Sequence, residues 1–237
     1  MITLKRTLND CMGDWTIRFS LPFQKEGTDM PDAERCFRYI VKEIHTTIVA
    51  TTDDDGLPVT AAIDMMDSDE NSLYFLTAKG KSFYDRLIKR GFLALTAVKG
   101  EDTMHSVAVS VRGKVREIGP ERIPDLFRKN PYMNEIYPKP ESRQALTVFR
   151  IYEGTGEWFD LSKKPIERAS FSFGGAEERK EGFYVTQDAC IGCGRCISVC
   201  PQKCIRKENG KAKIIQQNCL YCGRCMEVCP AGAITRA

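Results

Sequence analysis

Eight cysteines in the C-terminal quarter of the chain form two runs with the same spacing. CIGCGRCISVCP covers residues 190–201 and CLYCGRCMEVCP covers residues 219–230, so each run reads C-x2-C-x2-C-x3-C-P. Three thiols packed this closely can wrap the chain around one face of an inorganic cluster, while the fourth points to a neighbouring cluster. Because thiolate sulfur is the usual ligand of such iron clusters, the expected chemistry is electron transfer.

This spacing resembles that of bacterial two-cluster ferredoxins, and the resemblance implies two crossed ligand sets. One 4Fe-4S cluster would be held by Cys190, Cys193, Cys196 and Cys229, and the other by Cys219, Cys222, Cys225 and Cys200. The 56 residues from Gly182 to Ala237 are too few to bury a core that stands alone. We therefore expect the clusters to supply much of the folding free energy of this domain.

Zinc and disulfides are the alternatives for these cysteines. Structural zinc commonly uses two C-x2-C pairs, which leaves the third cysteine and the proline of each run unexplained. A disulfide framework requires an oxidising compartment, whereas the opening residues MITLKRTLND lack an apolar signal-peptide stretch, so we expect a cytoplasmic protein. Cys11, Cys36 and Cys204 fall outside the pattern, and we predict that they pack as small apolar residues.

Charge is distributed unevenly along the chain. Residues 182–237 contain eight basic and three acidic side chains, a formal charge of +5, within a total of +3. This balance favours docking of an acidic electron carrier of the ferredoxin or flavodoxin type, although ordinary solvated lysines would give the same count. The basic residues form no stripe interleaved with aromatic residues, so nucleic acid is not an expected partner, and no apolar run could span a membrane.

The remaining chain has the pattern of short strands with few helices. Helical spacing predicts helices over residues 31–43 and 79–89 and one framed by Pro120 and Pro124. Strands are predicted at 46–52, 59–65, 73–77, 92–98, 106–117 and 145–161, with 131–140 irregular. We therefore expect a mainly β fold, a closed or nearly closed β-barrel with flanking helices at 1–162, a linker at 163–181, and a small α+β iron–sulfur domain at 182–237 that resembles ferredoxins.

The turn in YFLTAKGKSFYDRL, residues 74–87, has features of a phosphate site. A strand ends at Thr77 and a helix begins just past Gly80, so backbone N–H groups, a helix N-terminus and two lysines lie together. Lysines at an exposed turn are also commonly solvated. The residues alone leave both interpretations open.

The order of these elements resembles the flavin-binding split barrel of the pyridoxamine 5'-phosphate oxidase-like superfamily over residues 30–160. The resemblance implies FMN at a homodimer interface, with its phosphate on the turn after the third strand and its ring along the second strand. By that resemblance the phosphate residues are Thr77, Lys79, Lys81 and Ser82, and the ring residues are Val59, Thr60, Ala61, Ala62 and Asp64. Ala61 and Ala62 could instead simply fill a tight barrel interior.

One departure from this family bears on the reaction. True pyridoxamine phosphate oxidases bind their substrate with a basic C-terminal segment. At the corresponding position, after the last barrel strand, this chain carries the linker and the cysteine runs. We therefore expect no vitamin oxidation, but an FMN-dependent oxidoreductase that passes electrons between an external carrier, two 4Fe-4S clusters, FMN and an organic substrate. The alternatives are an electron-transfer or flavin reductase component without its own substrate, and a barrel that binds haem or a deazaflavin.

Overall fold

The computed structural model describes residues 30–177 and 181–237. Its main feature is a seven-stranded antiparallel sheet in the order β3-β2-β1-β4-β5-β6-β7, in which β3 also pairs with β6. This extra pairing closes β1 to β6 into a six-stranded barrel. The bounds are β1 Thr46–Thr52, β2 Pro58–Asp69, β3 Ser72–Ala78, β4 Phe92–Lys99, β5 Val107–Gly119, β6 Leu146–Asp160 and β7 Glu167–Phe173. The predicted barrel is thus confirmed.

Strand β6 explains how the barrel is split. Its first half pairs with β3, from Leu73↔Ile151 to Ala78↔Leu146, and its second half pairs with β7, from Gly154↔Phe173 to Asp160↔Glu167. The strands must come very close at Gly154, where a Cβ atom would lie 2.2 Å from the carbonyl oxygen of Arg112. Glycine is therefore the residue that fits the point where β6 leaves the barrel.

The stretch predicted as a linker is only partly a connection. Residues 167–173 form β7, and Ala169, Phe171 and Phe173 are buried in the barrel core. The prediction of residues 163–181 as a connection between domains did not include this strand, although the alternation in RASFSF is that of a half-buried strand. The domain boundaries at 162 and 181 stay a prediction.

Helices cover the barrel and define two apolar cores. The helix bounds are α1 Ala33–Tyr39, continued by a π-helical turn at Ile40–Ile44, α2 Ser82–Arg90, α3 Ile123–Lys129, α4 Met133–Ile136 and α5 Pro140–Arg143. Phe37 of α1 packs edge-on against Phe171 and Phe173 inside the barrel core. The second core lies under α3 and includes Leu126 and Val148. The segment 131–140, predicted as irregular, contains the single helical turn α4 and the start of α5.

The cysteine-rich residues fold as a small unit with its own core. Its elements are β8 Phe183–Val185, α6 Arg195–Val199, β9 Ile205–Glu208, β10 Lys211–Ile214, α7 Arg224–Glu227 and β11 Ile234–Arg236. Strand β8 pairs with β11, and β9 pairs with β10. Buried cysteines contribute to the core beside Phe183, Ile205 and Ile234. In the part of the chain that the structure describes, no helix has the length and apolar content needed to cross a membrane.

Candidate iron–sulfur and flavin sites

The first cysteine run folds around a small cavity. The four cysteines on its wall are Cys190, Cys193, Cys196 and Cys229. Gly192 lets the chain turn here, because its φ is +67° and a Cβ atom would lie 2.2 Å from the Gly210 carbonyl oxygen. The structure thus brings together the first predicted ligand set, including the cysteine from the second run. Iron binding by these residues stays a prediction.

A second small cavity lies beside the second cysteine run. Its predicted ligands are Cys200, Cys219, Cys222 and Cys225, and all four line it. Cys204 also lines this cavity, with its Sγ 3.4 Å from the Sγ of Cys200. Cys204 is buried, as a packing residue should be, but it packs against a predicted ligand. Cys36 is buried in the barrel core, and Cys11 lies outside the described residues.

Cys190 and Cys219 lie in surroundings that suit thiolates, whereas burial raises the pKa of Cys196 and Cys225. Backbone N–H groups donate to the sulfur atoms of the first two, from Ala212 to Cys190 at 3.5 Å and from Tyr221 to Cys219 at 3.4 Å. The Ala212 N–H lowers the pKa of Cys190, and a hydrogen bond with Cys204 lowers the pKa of Cys219 to about 6. These soft donors fit iron–sulfur clusters. The cysteines line the walls of the two cavities and do not converge on one point. In residues 30–177 and 181–237, no three His, Cys, Asp or Glu side chains lie close enough together to bind a single metal ion.

The predicted phosphate turn joins the end of β3 to α2. The backbone N–H of Lys79 donates to the Ala145 carbonyl at 2.9 Å, which ties the turn to the start of β6. Lys81 is the N-cap of α2 and forms no side-chain capping bond. Thr77 is buried, and its hydroxyl has no hydrogen-bond partner among the described residues. A buried hydroxyl without a partner, beside a helix N-terminus and exposed lysines, fits a phosphate group.

A carboxylate stands next to this turn. Glu117 accepts hydrogen bonds from Thr147 at 2.6 Å and from Tyr84 at 3.0 Å, and its Oε1 lies 3.8 Å from the Nζ of Lys79. The hydrogen bond to Glu117 is the main cause of the raised pKa of Tyr84. The Lys79 ammonium would therefore interact both with Glu117 and with an anion bound in the turn. Lys81 and Ser82 are exposed at the surface.

The predicted ring residues do not share one face of β2. Successive side chains on a strand point to opposite sides, and Ala61 packs against the barrel core. Thr60, Ala62 and Asp64 lie on the other side. A flat ring on that side could contact Val59 and Ala61 only through their backbone. The assignment of Val59, Thr60, Ala61, Ala62 and Asp64 to the ring stays a prediction, and strand alternation restricts side-chain contact to Thr60, Ala62 and Asp64.

The outside of β2, β1 and β4, which we call the outer face, is uncharged over a wide area. Ile48 pairs with Ala62 on one side and Thr96 on the other, and it is 53% exposed. Phe92 and Val98 of β4 are 47% and 58% exposed. Contiguous exposed apolar residues of this kind mark surfaces that bind a ligand or another chain.

Three polar side chains meet at one end of the outer face. The hydroxyl of Tyr132 donates to Asp64 Oδ2 at 2.7 Å, and His45 Nε2 lies 2.9 Å from the same hydroxyl. When the phenol donates its proton to the carboxylate, the contact is satisfied by the His45 tautomer that carries a proton on Nε2 and donates to the phenol oxygen. Burial, and then the bond to Asp64, raises the pKa of Tyr132 above its ordinary range. We call His45, Tyr132 and Asp64 the proton network.

The sequence pointed to only part of this network. Asp64 was predicted through the ring strand, but no sequence feature marked Tyr132, which lies 87 residues from His45. His45 has φ +68°, a conformation that non-glycine residues seldom adopt. Such strain occurs where the surrounding structure holds a functional side chain. His105, the other histidine, is exposed and bonds to Asp102 at 2.8 Å.

A groove of about 320 Å³ continues the outer face across β4, β5, β6 and β7. Small and hydroxyl side chains form its floor, and its charged lining residues are Arg112, Glu157 and Glu181. Arg112 lies 3.5 Å from Glu181, and Glu157 lies 3.1 Å from Arg168. Burial is the main cause of the raised pKa of Glu157. The volume is within the range of ordinary ligand sites, ~300–1,000 Å³.

Family models match both parts of the chain. The model described as pyridoxamine 5'-phosphate oxidase matches residues 34–158, and the model described as 4Fe-4S dicluster domain matches residues 189–233. No curated protein matches the chain.

Several solved structures are similar in fold. A protein related to general stress protein 26, of the pyridoxinephosphate oxidase family, from Clostridium acetobutylicum is 15% identical, with 57% of this chain and 90% of that chain covered and a TM-score of 0.46. A pyridoxamine 5'-phosphate oxidase-related, FMN binding protein from Nostoc punctiforme is 12% identical, covering 59% and 90%, with a TM-score of 0.45. The heme storage protein HutZ from Vibrio cholerae is 12% identical, covering 48% and 85%, with a TM-score of 0.40.

At these identities the similarity concerns the fold alone. The family-model match is different, since it spans more than half of the chain and coincides with the six-stranded barrel, while the second match coincides with the two cysteine-lined cavities. The chain therefore belongs to the pyridoxamine 5'-phosphate oxidase family and carries a 4Fe-4S dicluster domain after its barrel.

Proposed function

We propose that this protein is a cytoplasmic FMN- and iron–sulfur-dependent oxidoreductase. Its electrons pass between an acidic external carrier, two 4Fe-4S clusters and FMN, and an organic substrate is the two-electron partner. The observation that carries the proposal is that each cavity of the dicluster domain is lined by one full predicted ligand set, while the adjoining barrel has an unpartnered buried hydroxyl at its predicted phosphate turn. When bound, the clusters supply one-electron chemistry and the flavin supplies two-electron chemistry.

The chain offers FMN a phosphate site and an apolar face. Thr77, Lys79, Lys81 and Ser82 would hold the phosphate. Thr60, Ala62 and Asp64 would lie along the ring through side chains, and Val59 and Ala61 through backbone only. The hydroxyl of Thr77 would gain the partner that the described residues do not supply.

A second copy of the chain would complete this site. Ile48, Phe92 and Val98 of the outer face expose apolar surface that a homodimer would cover. The lack of charged side chains on β1 and on the adjoining outward positions of β2 and β4, apart from Asp64, suits an interface core. We propose that FMN lies between the two copies on this face.

The proton network would supply the proton that accompanies hydride transfer. A substrate that accepts a hydride also takes up a proton, and His45 Nε2 and Tyr132 Oη both hold one beside the ring strand. Asp64 keeps the network oriented through bonds from Tyr132 and from Thr46, the latter at 2.7 Å. In the reverse direction the same groups would receive the proton.

Anaerobic purification and analysis test the proposal. We expect about eight iron atoms per chain, broad absorption in the violet, and release of FMN identified by chromatography. Zinc with negligible iron would contradict the cluster sites. A released deazaflavin or haem would correct the barrel cofactor, and iron without any barrel ligand would favour an electron-transfer component that has no substrate of its own.

A further inference from the structure

The barrel touches the dicluster domain beside its second cavity. The side-chain amide of Asn218 donates to the Ile166 carbonyl at 2.7 Å, and the Ile166 N–H donates to Gln202 Oε1 at 3.5 Å. Asn218 directly precedes Cys219, and Gln202 lines the second cavity. Within the described residues, the lining of each cavity comes from the dicluster domain, but only the lining of the second cavity includes a residue, Gln202, that bonds to Ile166 next to β7. The second cavity is therefore the one that faces the barrel.

One arginine of β7 occupies this contact. The guanidinium of Arg168 lies between two rings, 4.5 Å from the centre of Phe159 and 4.2 Å from the centre of Tyr221. Only 15% of the Arg168 side chain is exposed, and its Nε has no hydrogen-bond partner in the part of the chain that the structure describes. A planar cation stacked between rings and withdrawn from water interacts strongly with charges nearby.

Arg168 lies between the two halves of the proposed electron path. Tyr221 stands between Cys219 and Cys222 in the sequence, and its N–H donates to the Cys219 sulfur at 3.4 Å. On the other side, Glu157 pairs with Arg168 at 3.1 Å and lines the groove on the outside of the barrel. The Tyr221 ring thus separates the Arg168 guanidinium from the second predicted ligand set. The ion pair with Glu157 connects the same guanidinium to the groove.

We propose that Arg168 is a positioning residue that holds the second cavity against the barrel and raises the reduction potential of the cluster bound there. Reduction adds one negative charge to a cluster, and a nearby cation shielded from water favours that state. Arg195 and Lys207, which line the first cavity, are exposed, so solvent and salt screen their charges more strongly. The proposal rests on the proposed function in requiring bound iron–sulfur clusters.

The test is a redox titration of the full chain, purified without oxygen and followed by electron paramagnetic resonance. Cys193→Ser and Cys222→Ser, one exposed ligand of each set, identify which signal belongs to which cavity. In Arg168→Gln we expect the ratio of reduced to oxidised second cluster, measured at the wild-type midpoint, to fall about tenfold. The first cluster should titrate as in the wild type. Arg168→Lys, which keeps the charge but not the planar stacking, should shift the ratio less.

The partner carboxylate provides a control for structural damage. Glu157→Gln removes a negative charge from the other side of Arg168, so we expect the second cluster to become easier to reduce. A loosened interface would move both variants in the same direction, whereas an electrostatic effect moves them in opposite directions. Arg224→Gln, which removes an exposed charge beside the same cavity, should have a smaller effect than Arg168→Gln.

The outcomes separate this inference from the proposed function. Two titrating signals with an unchanged second potential in Arg168→Gln would overturn the inference alone, as would equal shifts of both clusters or same-direction shifts in Arg168→Gln and Glu157→Gln. A protein that holds zinc and shows no cluster signal would overturn the proposed function, and the inference with it.

Discussion

At the scale of single residues, the two lysines after β3 test where the flavin phosphate binds. Replacing Lys79 and Lys81 together with Ala removes two charge-assisted contacts, each worth about 1.5–3 kcal/mol. We expect FMN affinity to fall at least tenfold, measured by fluorescence titration of the apoprotein. Release of Glu117 from Lys79 would add a negative charge near the phosphate and increase the loss.

Lys89 provides the matched control. It lies in the last turn of α2, where its Nζ contacts Asp54 at 2.6 Å, away from the predicted phosphate turn. Lys89→Ala should leave FMN affinity unchanged. Equal affinities in the double variant and the wild type would show that Lys79 and Lys81 are solvated residues and that the phosphate binds elsewhere.

Tyr132→Phe tests the proton network through protein stability. The phenol donates to Asp64, and a hydrogen bond to a charged group contributes about 1.5–3 kcal/mol, so the free energy of unfolding should fall by an amount of that order. Because the folded pKa of Tyr132 is raised, its contribution is complete below about pH 10, the ordinary tyrosine pKa, and is lost above it. Denaturant unfolding at several pH values should therefore show that the difference in unfolding free energy between the wild type and Tyr132→Phe becomes smaller in strong alkali.

Tyr137→Phe is the control for this variant. Its ring packs on Phe127 at 6.5 Å, and its hydroxyl forms no hydrogen bond within residues 30–177 and 181–237. Unfolding free energies that are equal for Tyr132→Phe and Tyr137→Phe would mean that the proton network is not formed in solution.

These residues also show what sequence could and could not predict. The structure places the eight cysteines around two cavities in the predicted groups, and this grouping could be predicted because the spacing of the cysteines is a local property of the sequence and the crossed fourth cysteine follows from a known pattern. Tyr132 could not be found, because its role depends on a contact with a residue 87 positions away. Strand alternation adds that, of the five predicted ring residues, Val59 and Ala61 could contact a ring only through their backbone.

At the scale of elements, β7 decides where the barrel ends. A chain that stops after Ser162 loses every β6 pairing of this strand and the two phenylalanines that pack on Phe37. Removing a buried phenylalanine side chain costs about 3–5 kcal/mol, so this fragment should not fold cooperatively. A chain that stops after Ala176 keeps the strand and should fold. Thermal unfolding followed by circular dichroism compares the two fragments, and equal melting would contradict the role of β7.

Most other elements were predictable because their signals are strong and local. Strand β1 occupies the predicted residues 46–52, and Gly91 ends α2 in the predicted left-handed conformation, with φ +61°. Strand β2 runs four residues past its predicted end at Met65, to Asp69, because tertiary pairing with β3 extends it. Strand β7 was missed because seven strand residues lie within a stretch rich in charge, serine and glycine, where composition favoured a linker.

At the scale of the whole molecule, the charge of the dicluster domain predicts how it meets its carrier. The formal side-chain charge of +5 over residues 182–237 falls to about +1 when two oxidised clusters of about −2 each are bound. This domain should therefore attract an acidic electron carrier and speed association. We expect the rate of reduction by an acidic ferredoxin to fall as ionic strength rises past about 0.15 M, where charges more than ~8 Å apart are screened. Reduction by a small uncharged reductant should not change. A salt-independent rate with the protein donor would contradict electrostatic docking.

The central claim is that electrons reach the barrel cofactor through the dicluster domain. The most direct measurement is anaerobic stopped-flow reduction of bound FMN by a reduced ferredoxin, in the whole chain and in the fragment that ends after Ala176. We predict that the fragment binds FMN and is still reduced by dithionite, but that the protein donor no longer reduces it at the rate of the whole chain. If the fragment accepts electrons from ferredoxin as fast as the whole chain does, the clusters do not lie on the path and the claim is wrong.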